Sequence, residues 1–452
     1  TELYWNYALI VRENEGEETV AYVKAINRVA YLYELKGNYL IAHRMYERCK
    51  VIAKNLEGNE SVLFAQQLDN LGRLAEVHDD YEIAENYYNR SSEIFKKQEN
   101  EMSIPFAHNI ADQAHLYYLT GQYTASEALF RQSKFIYERL EYRESVEYAL
   151  VLRHLAQLDI QLNNSVEAVM LLDDASHIFE KAYSAVHPEF ALTMRDLALV
   201  YLKIGSIEKV EPLIDLSLDI FEASYGTSHL EYLNTLAIKS RYLTVAGELT
   251  QADSLLQTVL ESYEEFMGVD HLSYAKIEMQ LAHLFYLEGN YQDALAINQR
   301  IIELYKLKLD PLHPDYAQVI NNVAMLYWAM GNSSKSHRFY KQNIINYVTQ
   351  YKRYFPFLSE KEKGYFYDGI QLFFEEFNSF AIQEMESNPE VLSLMYNSEI
   401  ATKSLLFHTS KEIREHVGEN QVLLEKYKRW VQTKELLAKI YKIDPSELEQ
   451  RG

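Results

Sequence analysis

Apolar residues along this chain recur every three or four positions, the spacing that places them on one face of an α-helix. A small or turn-forming residue interrupts this pattern at a constant interval of 42. The eight interruptions are Gly37, Asp79, Gly121, Asn163, Gly205, Gly247, Gly289 and Gly331. Gly, Asn and Asp tolerate the left-handed backbone conformation that ends a helix. The pattern therefore predicts eight helical hairpins in tandem, each turning at one of these positions.

Small residues flank every predicted turn at fixed positions and allow the two helices of a hairpin to approach to about 8–10 Å. Before the turns stand Ala30, Gly72, Ala114, Ala156, Ala198, Ser240, Ala282 and Ala324. After the turns stand Ala42, Ala84, Ser126, Ala168, Val210, Ala252, Ala294 and Ser336. A large side chain follows one helical turn later in every unit except the seventh, where Asn298 occupies the position.

This order of residues resembles the tetratricopeptide repeat. The unit is longer than the usual 34 residues of that family and is similar in this respect to the repeats of kinesin light chain. HEAT and armadillo repeats share the length range, but the turns Gly37-Asn-Tyr39 and Gly289-Asn-Tyr291 favour the tetratricopeptide family. The resemblance implies an all-α, right-handed superhelical solenoid of eight 42-residue hairpins, followed by a helical C-terminal extension.

The repeat pattern suggests two regions. We expect residues 1–350 to form the solenoid, beginning with a partial repeat at 1–14, and residues 351–452 to form a helical connector. In the connector we predict helices over about 360–385, 390–416 and 421–443. The last of these has a coiled-coil-like spacing of apolar residues and is a candidate interaction helix. Its apolar positions are Leu423, Tyr427, Trp430 and Leu437. We also expect both ends of the sequence to be cut, with a further domain after the connector.

The connector carries a second resemblance. Its motifs are Phe357-Leu-Ser-Glu-Lys-Glu-Lys363, Phe377-Asn-Ser-Phe-Ala381, Asn388-Pro-Glu390, Tyr396-Asn-Ser-Glu-Ile-Ala-Thr-Lys-Ser-Leu-Leu406 and Lys411-Glu-Ile-Arg414. They are similar to the segment that joins tetratricopeptide repeats to a caspase-like cysteine peptidase in the CHAT family. The resemblance implies a sensor or regulatory arm of such a protease, whose peptidase domain the sequence does not contain.

Charge and composition limit the classes of molecule that the chain is expected to bind. With 44 basic and 66 acidic residues, the net charge of −22 argues against direct contact with nucleic acid or an anionic membrane. The single cysteine, Cys49, has no partner for an internal disulfide and lies where other units carry Ser91 and Ser133, so we expect a small core residue. These features favour a cytoplasmic protein, although the sequence leaves secretion open.

Four histidines also repeat at intervals of 42, in the loops between units: His187, His229, His271 and His313. Zinc would need ligands within about 2.1 Å of one ion, whereas successive units are separated by at least about 8–10 Å. We therefore expect these histidines to cap helices, and we expect no metal or other cofactor. The sequence also lacks HExxH, CxxC, P-loop and GxGxxG patterns.

In tetratricopeptide arrays the first helix of each hairpin lines the concave groove. Counting back six and ten residues from the turns gives the side chains that would line it. The candidate partner-binding residues are Asn27, Tyr31, Arg73, His115, Arg153, Arg195 and Arg241. The basic members would form a stripe for an acidic protein or peptide, because the arginine fork binds carboxylates in pairs. The alternative is that Asp69, Asp112 and Asp196 neutralise the stripe internally.

Two functions fit these features. The first is a non-catalytic, peptide- or protein-binding solenoid that regulates an attached CHAT-like protease. The second is a stand-alone adaptor or scaffold whose C-terminal helices mediate oligomerisation. The sequence contains no group of residues that would support a third function, an enzyme in its own right.

Overall fold

The computed structural model describes residues 2–98, 101–354 and 360–401, together with Glu425 and Arg429. Within these ranges the chain is built from helices and short turns, and it contains no strand. The α-helices are α1 (Glu2–Glu15), α2 (Val20–Leu35), α3 (Tyr39–Glu57), α4 (Val62–Val77), α5 (Tyr81–Lys97), α6 (Ile104–Leu119), α7 (Tyr123–Arg139), α8 (Val146–Gln161), α9 (Ser165–Tyr183), α10 (Pro188–Lys203), α11 (Val210–Tyr225), α12 (Leu230–Ala246), α13 (Leu249–Phe266), α14 (Leu272–Leu287), α15 (Tyr291–Lys308), α16 (Pro314–Ala329), α17 (Ser333–Tyr354) and α18 (Glu360–Glu384). A 3₁₀ turn at Ile207–Lys209 precedes α11, and residues 390–401 are helical.

The eight predicted turns are confirmed. Helices α2 to α17 form eight hairpins, and every 42-spaced turn residue has a positive φ. The angle is 60° at Asp79 and at Asn163 and lies between 73° and 87° at the six glycines. In the first turn the amide of Asn38 donates to the carbonyl of Tyr33 at 2.8 Å, which closes the last turn of α2. The local requirement for a left-handed residue thus fixes where each first helix ends.

Small residues bring the two helices of each hairpin together, as the sequence predicts. A Cβ added at Gly72 would lie 2.6 Å from the ring of Tyr88, which is itself fully buried. The equivalent aromatic side chains Tyr46, Phe130 and Tyr340 are also fully buried. The close approach therefore buries a large ring in four hairpins and an aliphatic side chain in three others, Leu172, Ile214 and Leu256. Apolar burial of this kind is the main stabilising contribution to the array.

Cys49 belongs to a series of side-chain hydrogen bonds between helices of one hairpin. Ser91 and Ser133 donate to carbonyl groups 26 residues earlier at 3.1 and 2.8 Å, and the Cys49 thiol contacts the carbonyl of Val23 at 3.8 Å with the same separation. The cysteine is fully buried, and burial raises the pKa of its thiol to about 12. This confirms the expected small core residue.

Histidines cap the first helices of four hairpins, as expected, and three of them also join successive coils of the superhelix. The Nδ1 atoms of His187, His229, His271 and His313 accept the amide hydrogen two residues later. The Nε2 atoms of the last three lie 2.7, 2.9 and 3.0 Å from carbonyl oxygens located 194 residues earlier in the chain. The coil therefore returns onto itself, with the start of the sixth hairpin seated on the turn of the first.

Helix α18 continues the same stacking. Phe373, Phe377 and Phe380 pack with Tyr340 in one core cluster, at ring-centroid distances of 6.1, 5.5 and 5.0 Å from the tyrosine. Its observed bounds, Glu360–Glu384, agree with the predicted helix within one residue. The helix therefore covers the last hairpin on the side where the next first helix would lie.

Candidate functional site

The first helices of the hairpins face one another along the inner side of the coil. Close backbone contacts link α4 to α6, and the same kind of contact continues pair by pair as far as α14. Side chains on these even-numbered helices also pair across neighbouring hairpins. The row of residues predicted to line a groove therefore lies on one continuous surface, which we call the inner face.

Arg73 and His115 lie on the inner face, and both pair with an acid of the preceding hairpin. Arg73 Nε lies 2.7 Å from Glu34 Oε1, and its Nη2 lies 3.1 Å from the other oxygen of that carboxylate. His115 Nδ1 lies 2.8 Å from Glu76 Oε2. Both pairs join positions 39 residues apart, so they are the same contact repeated once along the array.

Arg153 and Arg195 are buried, so the expectation that both side chains line an open groove is wrong. They are only 7% and 9% exposed and lie on either side of Asp196, at 3.5 and 3.7 Å. Arg153 also approaches Glu189 at 3.7 Å, and Arg195 donates to Glu231. Internal neutralisation by Asp196 therefore holds at this point of the stripe. The acids of Arg153 come from α10, whereas Arg195 pairs with Asp196 of its own helix and with Glu231 of α12.

Tyr31 and Asn27 lie at the start of the inner face. Tyr31 is 40% exposed and stacks against the Arg73 guanidinium at 5.6 Å. The pKa of Tyr31 is raised to about 12, mainly by burial and secondly by the negative charge of Glu189 in the fifth hairpin. Asn27 is half-buried, and its Oδ1 has no hydrogen-bond partner among the described residues.

Arg241 differs from the other basic residues of the stripe. It is exposed, and within the described ranges no carboxylate forms an ion pair with it. Lys203 and His283 on the neighbouring first helices are also exposed. The pKa of Lys203 is lowered to about 8, mainly by desolvation and secondly by the positive charge of Arg241. The same two causes, in the same order, lower the pKa of His283. The three side chains lie on α10, α12 and α14, which contact one another in this order, and we call them the basic cluster.

Sequence reasoning missed Lys203 and His283 as members of this cluster. The sequence contains a signal for this cluster at the position three residues before each turn. An acid occupies this position in the first two hairpins, as Glu34 and Glu76, but Leu202 and Thr244 replace it in later hairpins. The candidate interaction helix, with Leu423, Tyr427, Trp430 and Leu437, lies outside the described residues.

Two further observations bear on the site. In the part of the chain that the structure describes, no group of three or more His, Cys, Asp and Glu side chains is placed to share a metal ion. None of the described helices combines the length and the apolar character needed to cross a bilayer.

Sequence comparison agrees with this geometry. Residues 239–306 and 273–342 match the tetratricopeptide-repeat profile. Residues 239–342 carry tetratricopeptide repeats. The surrounding hairpins, which have the same spacing and turn geometry, extend this solenoid along residues 20–354. None of the curated proteins is similar to the chain in sequence.

The fold of the chain is similar to that of one solved structure, and two further structures match with lower scores. A Rap protein complexed with competence and sporulation factor covers 85% of this chain and 99% of its own, with 14% identity and a TM-score of 0.59. The apo form of the quorum sensor NprR from B. thuringiensis covers 76% of this chain and 97% of its own, with 14% identity and a TM-score of 0.47. A putative kinesin light chain from Podosopora anserina covers 44% of this chain and 94% of its own, with 21% identity and a TM-score of 0.34. At these identities the likeness concerns the fold alone.

Proposed function

We propose that this tetratricopeptide-repeat protein is a non-catalytic binding protein that takes up a peptide or an extended protein segment along its inner face. The observation that carries the proposal is the inner face itself. It runs over successive first helices and presents exposed aromatic and basic side chains such as Tyr31 and Arg241. Exposed aromatic and arginine side chains in a concave surface are typical of interaction sites.

The Rap structure supports this proposal at the level of the fold. That protein is complexed with competence and sporulation factor, and its fold matches this chain over 85% of the residues. This likeness in fold supports a binding role for the present chain. The chemistry of the partner has to come from the side chains of this chain, because only 14% of the aligned residues are identical.

The predicted groove residues have different roles under this proposal. Tyr31 and Arg241 are exposed and would contact the partner directly. Arg153 and Arg195 are held by acids and would act by keeping the inner face rigid. Arg73 and His115 are half-buried in their ion pairs, so each could contact a partner only with one edge of its side chain. Asn27 would offer its unbonded Oδ1 as an acceptor.

The experiment begins with affinity selection from a synthetic pool of random nine-residue peptides that carry free carboxyl termini. An extended peptide of this length spans about 30 Å, enough to cross several first helices. We expect selected peptides to bind with one-to-one stoichiometry in calorimetry. Tyr31→Ala should weaken binding by about 2 kcal/mol, the size of an aromatic hot spot.

The matched control is Tyr142→Ala. Tyr142 is 50% exposed, close to the 40% of Tyr31, but it lies in the loop between α7 and α8. Equal affinity losses for the two variants, or no loss for Tyr31→Ala with every selected peptide, would contradict a role for the inner face.

We further propose that partner binding regulates a CHAT-like, caspase-type protease joined to or associated with this chain. The motifs of the connector, which begin at Phe357, support this reading. It is tested with the natural full-length protein and a fluorogenic peptide pool, measured with and without a selected inner-face peptide. A peptide-dependent change in cleavage, absent in the Tyr31→Ala variant, is expected. Cleavage that ignores the peptide, or a natural coding sequence without a peptidase, would favour the adaptor function instead.

A further inference from the structure

The seventh hairpin, formed by α14 and α15, is packed differently from the others. In the other seven hairpins a large side chain of the second helix fills the gap between the two helices and is fully buried. These side chains are Tyr46, Tyr88, Phe130, Leu172, Ile214, Leu256 and Tyr340. In the seventh hairpin Asn298 occupies the position and is 1% exposed. A short polar side chain thus replaces the large apolar side chain of the other hairpins.

Asn298 does not fill the space that a large side chain would take. Its Nδ2 donates to the carbonyl of Ala294 in its own helix at 2.8 Å, and its Oδ1 accepts from Asn322 Nδ2 of α16 at 3.4 Å. Both partners lie outside α14. A cavity of about 30 Å³ remains beside Asn298, between α14 at Ala282 and α16 at Leu326. The cavity and the buried amide both weaken the packing of α15 against α14.

A carboxylate from another hairpin holds the open end of this same hairpin, where no turn joins the two helices. Asp79, in the turn of the second hairpin, accepts the amide hydrogen of Leu272 in the first turn of α14 at 2.9 Å. The same carboxylate pairs at 3.0 Å with Lys308, the last residue of α15. His271, just before α14, lies 3.7 Å from it. One side chain therefore bridges α14 and α15 from outside, and we call this set of contacts the Asp79 clamp.

The other two contacts between coils lack such a clamp. They join His229 and His313, at the starts of the sixth and eighth hairpins, to carbonyl groups of the first and third hairpins. The turns of the first and third hairpins are Gly37 and Gly121. Glycine has no side chain that could bridge two helices. The clamp is therefore placed at the hairpin whose interior lacks a large apolar side chain.

We propose that the seventh hairpin is a hinge of the superhelix, at which α14 and α15 separate when the Asp79 clamp is released. In a repeat array each hairpin is stabilised by its own packing and by its neighbours, so the hairpin with the weakest packing opens first. Its opening breaks the middle one of the three contacts between coils and lets the second and seventh hairpins move apart. The inference goes beyond the proposed function, because it concerns a motion of the coil that needs no partner.

The test is hydrogen exchange of the full chain, followed by mass spectrometry, which measures the opening of each hairpin separately. Asn298→Leu supplies the side chain that the sixth hairpin has at Leu256. It should slow exchange throughout α14 and α15 by about tenfold or more, as expected when a buried apolar side chain fills a cavity. Exchange in α6 and α7, in the third hairpin, should not change. Asp79→Gly should accelerate exchange throughout both α14 and α15.

The matched variant is Leu256→Asn, which moves the polar residue to the sixth hairpin. Exchange in α12 and α13 should then accelerate by at least about tenfold, because a large buried side chain is lost. If this variant does not fold, Asn298→Leu still decides the question, since it removes a buried polar group and fills a cavity.

Two results would overturn the inference. One is unchanged exchange of α14 and α15 in Asn298→Leu, which would show that the missing side chain does not limit the stability of this hairpin. The other is an effect of Asp79→Gly confined to the first turn of α14, with α15 at the wild-type rate. Asp79 would then cap one helix and would not hold the two together. Peptide binding is not measured in this test, so its outcome is independent of the proposed function.

Discussion

Asp79 offers the sharpest test of how the coil is closed. It occupies a turn that is glycine in six of the eight hairpins, and it adopts a φ of 60°. Its carboxylate accepts the amide hydrogen of Leu272 at 2.9 Å and pairs with Lys308 Nζ at 3.0 Å, both nearly 200 residues or more away in sequence. The side chain is only 4% exposed. We therefore consider Asp79→Gly, which preserves the turn and removes the contact between coils.

The magnitude follows from two opposing effects. Each hydrogen bond to a charged group contributes about 1.5–3 kcal/mol, and the two between coils are lost. A third, from the Tyr81 hydroxyl of the same hairpin, is long at 3.3 Å and adds little. Glycine relieves about 1 kcal/mol of left-handed backbone strain at this position. The loss is larger than the relief, so the free energy of unfolding should fall by about 2–5 kcal/mol. Since a repeat array ordinarily couples only neighbouring units, the variant should also unfold less cooperatively.

The assay combines urea denaturation with hydrogen exchange followed by mass spectrometry. The Leu272 amide lies in the first turn of α14 and has no helical acceptor of its own, so exchange at the start of this helix should accelerate. Asn163→Gly is the matched control, because Asn163 also has a φ of 60°. We expect this control to be neutral or slightly stabilised. Undiminished stability of Asp79→Gly together with unchanged exchange at α14 would refute the proposed closure.

Three further predictions concern single sites. Gly121→Ala should lower the free energy of unfolding by about 2–4 kcal/mol, because the new Cβ would lie 2.6 Å from Pro314 Cδ. Gly205→Ala should lower it by only about 1 kcal/mol, because Gly205 has a φ of 77° but no atom within 4 Å of the new Cβ. Chemical denaturation of the two variants measures this difference. Cys49→Ser should change stability by less than about 1 kcal/mol, since serine makes the same contact in neighbouring hairpins, and the folded wild-type thiol should resist iodoacetamide. Burial, against the opposing charge of Arg73, raises the pKa of Asp112 to about 7, so its contribution to stability is present below about pH 4 and is lost as the pH rises through 7. Asp112→Asn should therefore gain stability relative to wild type between pH 5 and pH 8, by about 1–3 kcal/mol, and a melting series that shows no such pH-dependent gain would contradict the shift.

The hairpins could be predicted from the sequence because their determinants are local. A left-handed turn needs Gly, Asn or Asp, and close helix packing needs small residues, so both leave a mark in every unit. The contacts between coils could not be predicted in this way. The 42-residue period gives the length of a unit but not the number of units in one superhelical turn, and the role of Asp79 depends on that number.

The candidate site was predictable only in outline. The inner-face positions follow from the repeat, but whether a basic residue is free depends on the acids of the next helix. Arg153 is neutralised by Asp196, which lies one hairpin ahead in the array, whereas Arg73 is neutralised by Glu34, which lies one hairpin behind it. The acids of both the preceding and the following hairpin have to be compared before Arg241 can be recognised as the basic residue without an acidic partner among the described residues.

The central claim is that the inner face holds the partner, and the most direct measurement is photo-crosslinking. A peptide selected from the random pool is resynthesised with benzoylphenylalanine at its centre, irradiated in complex with the protein, and its attachment sites are mapped by mass spectrometry. We predict attachment to even-numbered helices, on side chains such as Tyr31 and His283, with competition by the unmodified peptide. Competed attachment confined to odd-numbered helices, or to residues after 384, would contradict the account.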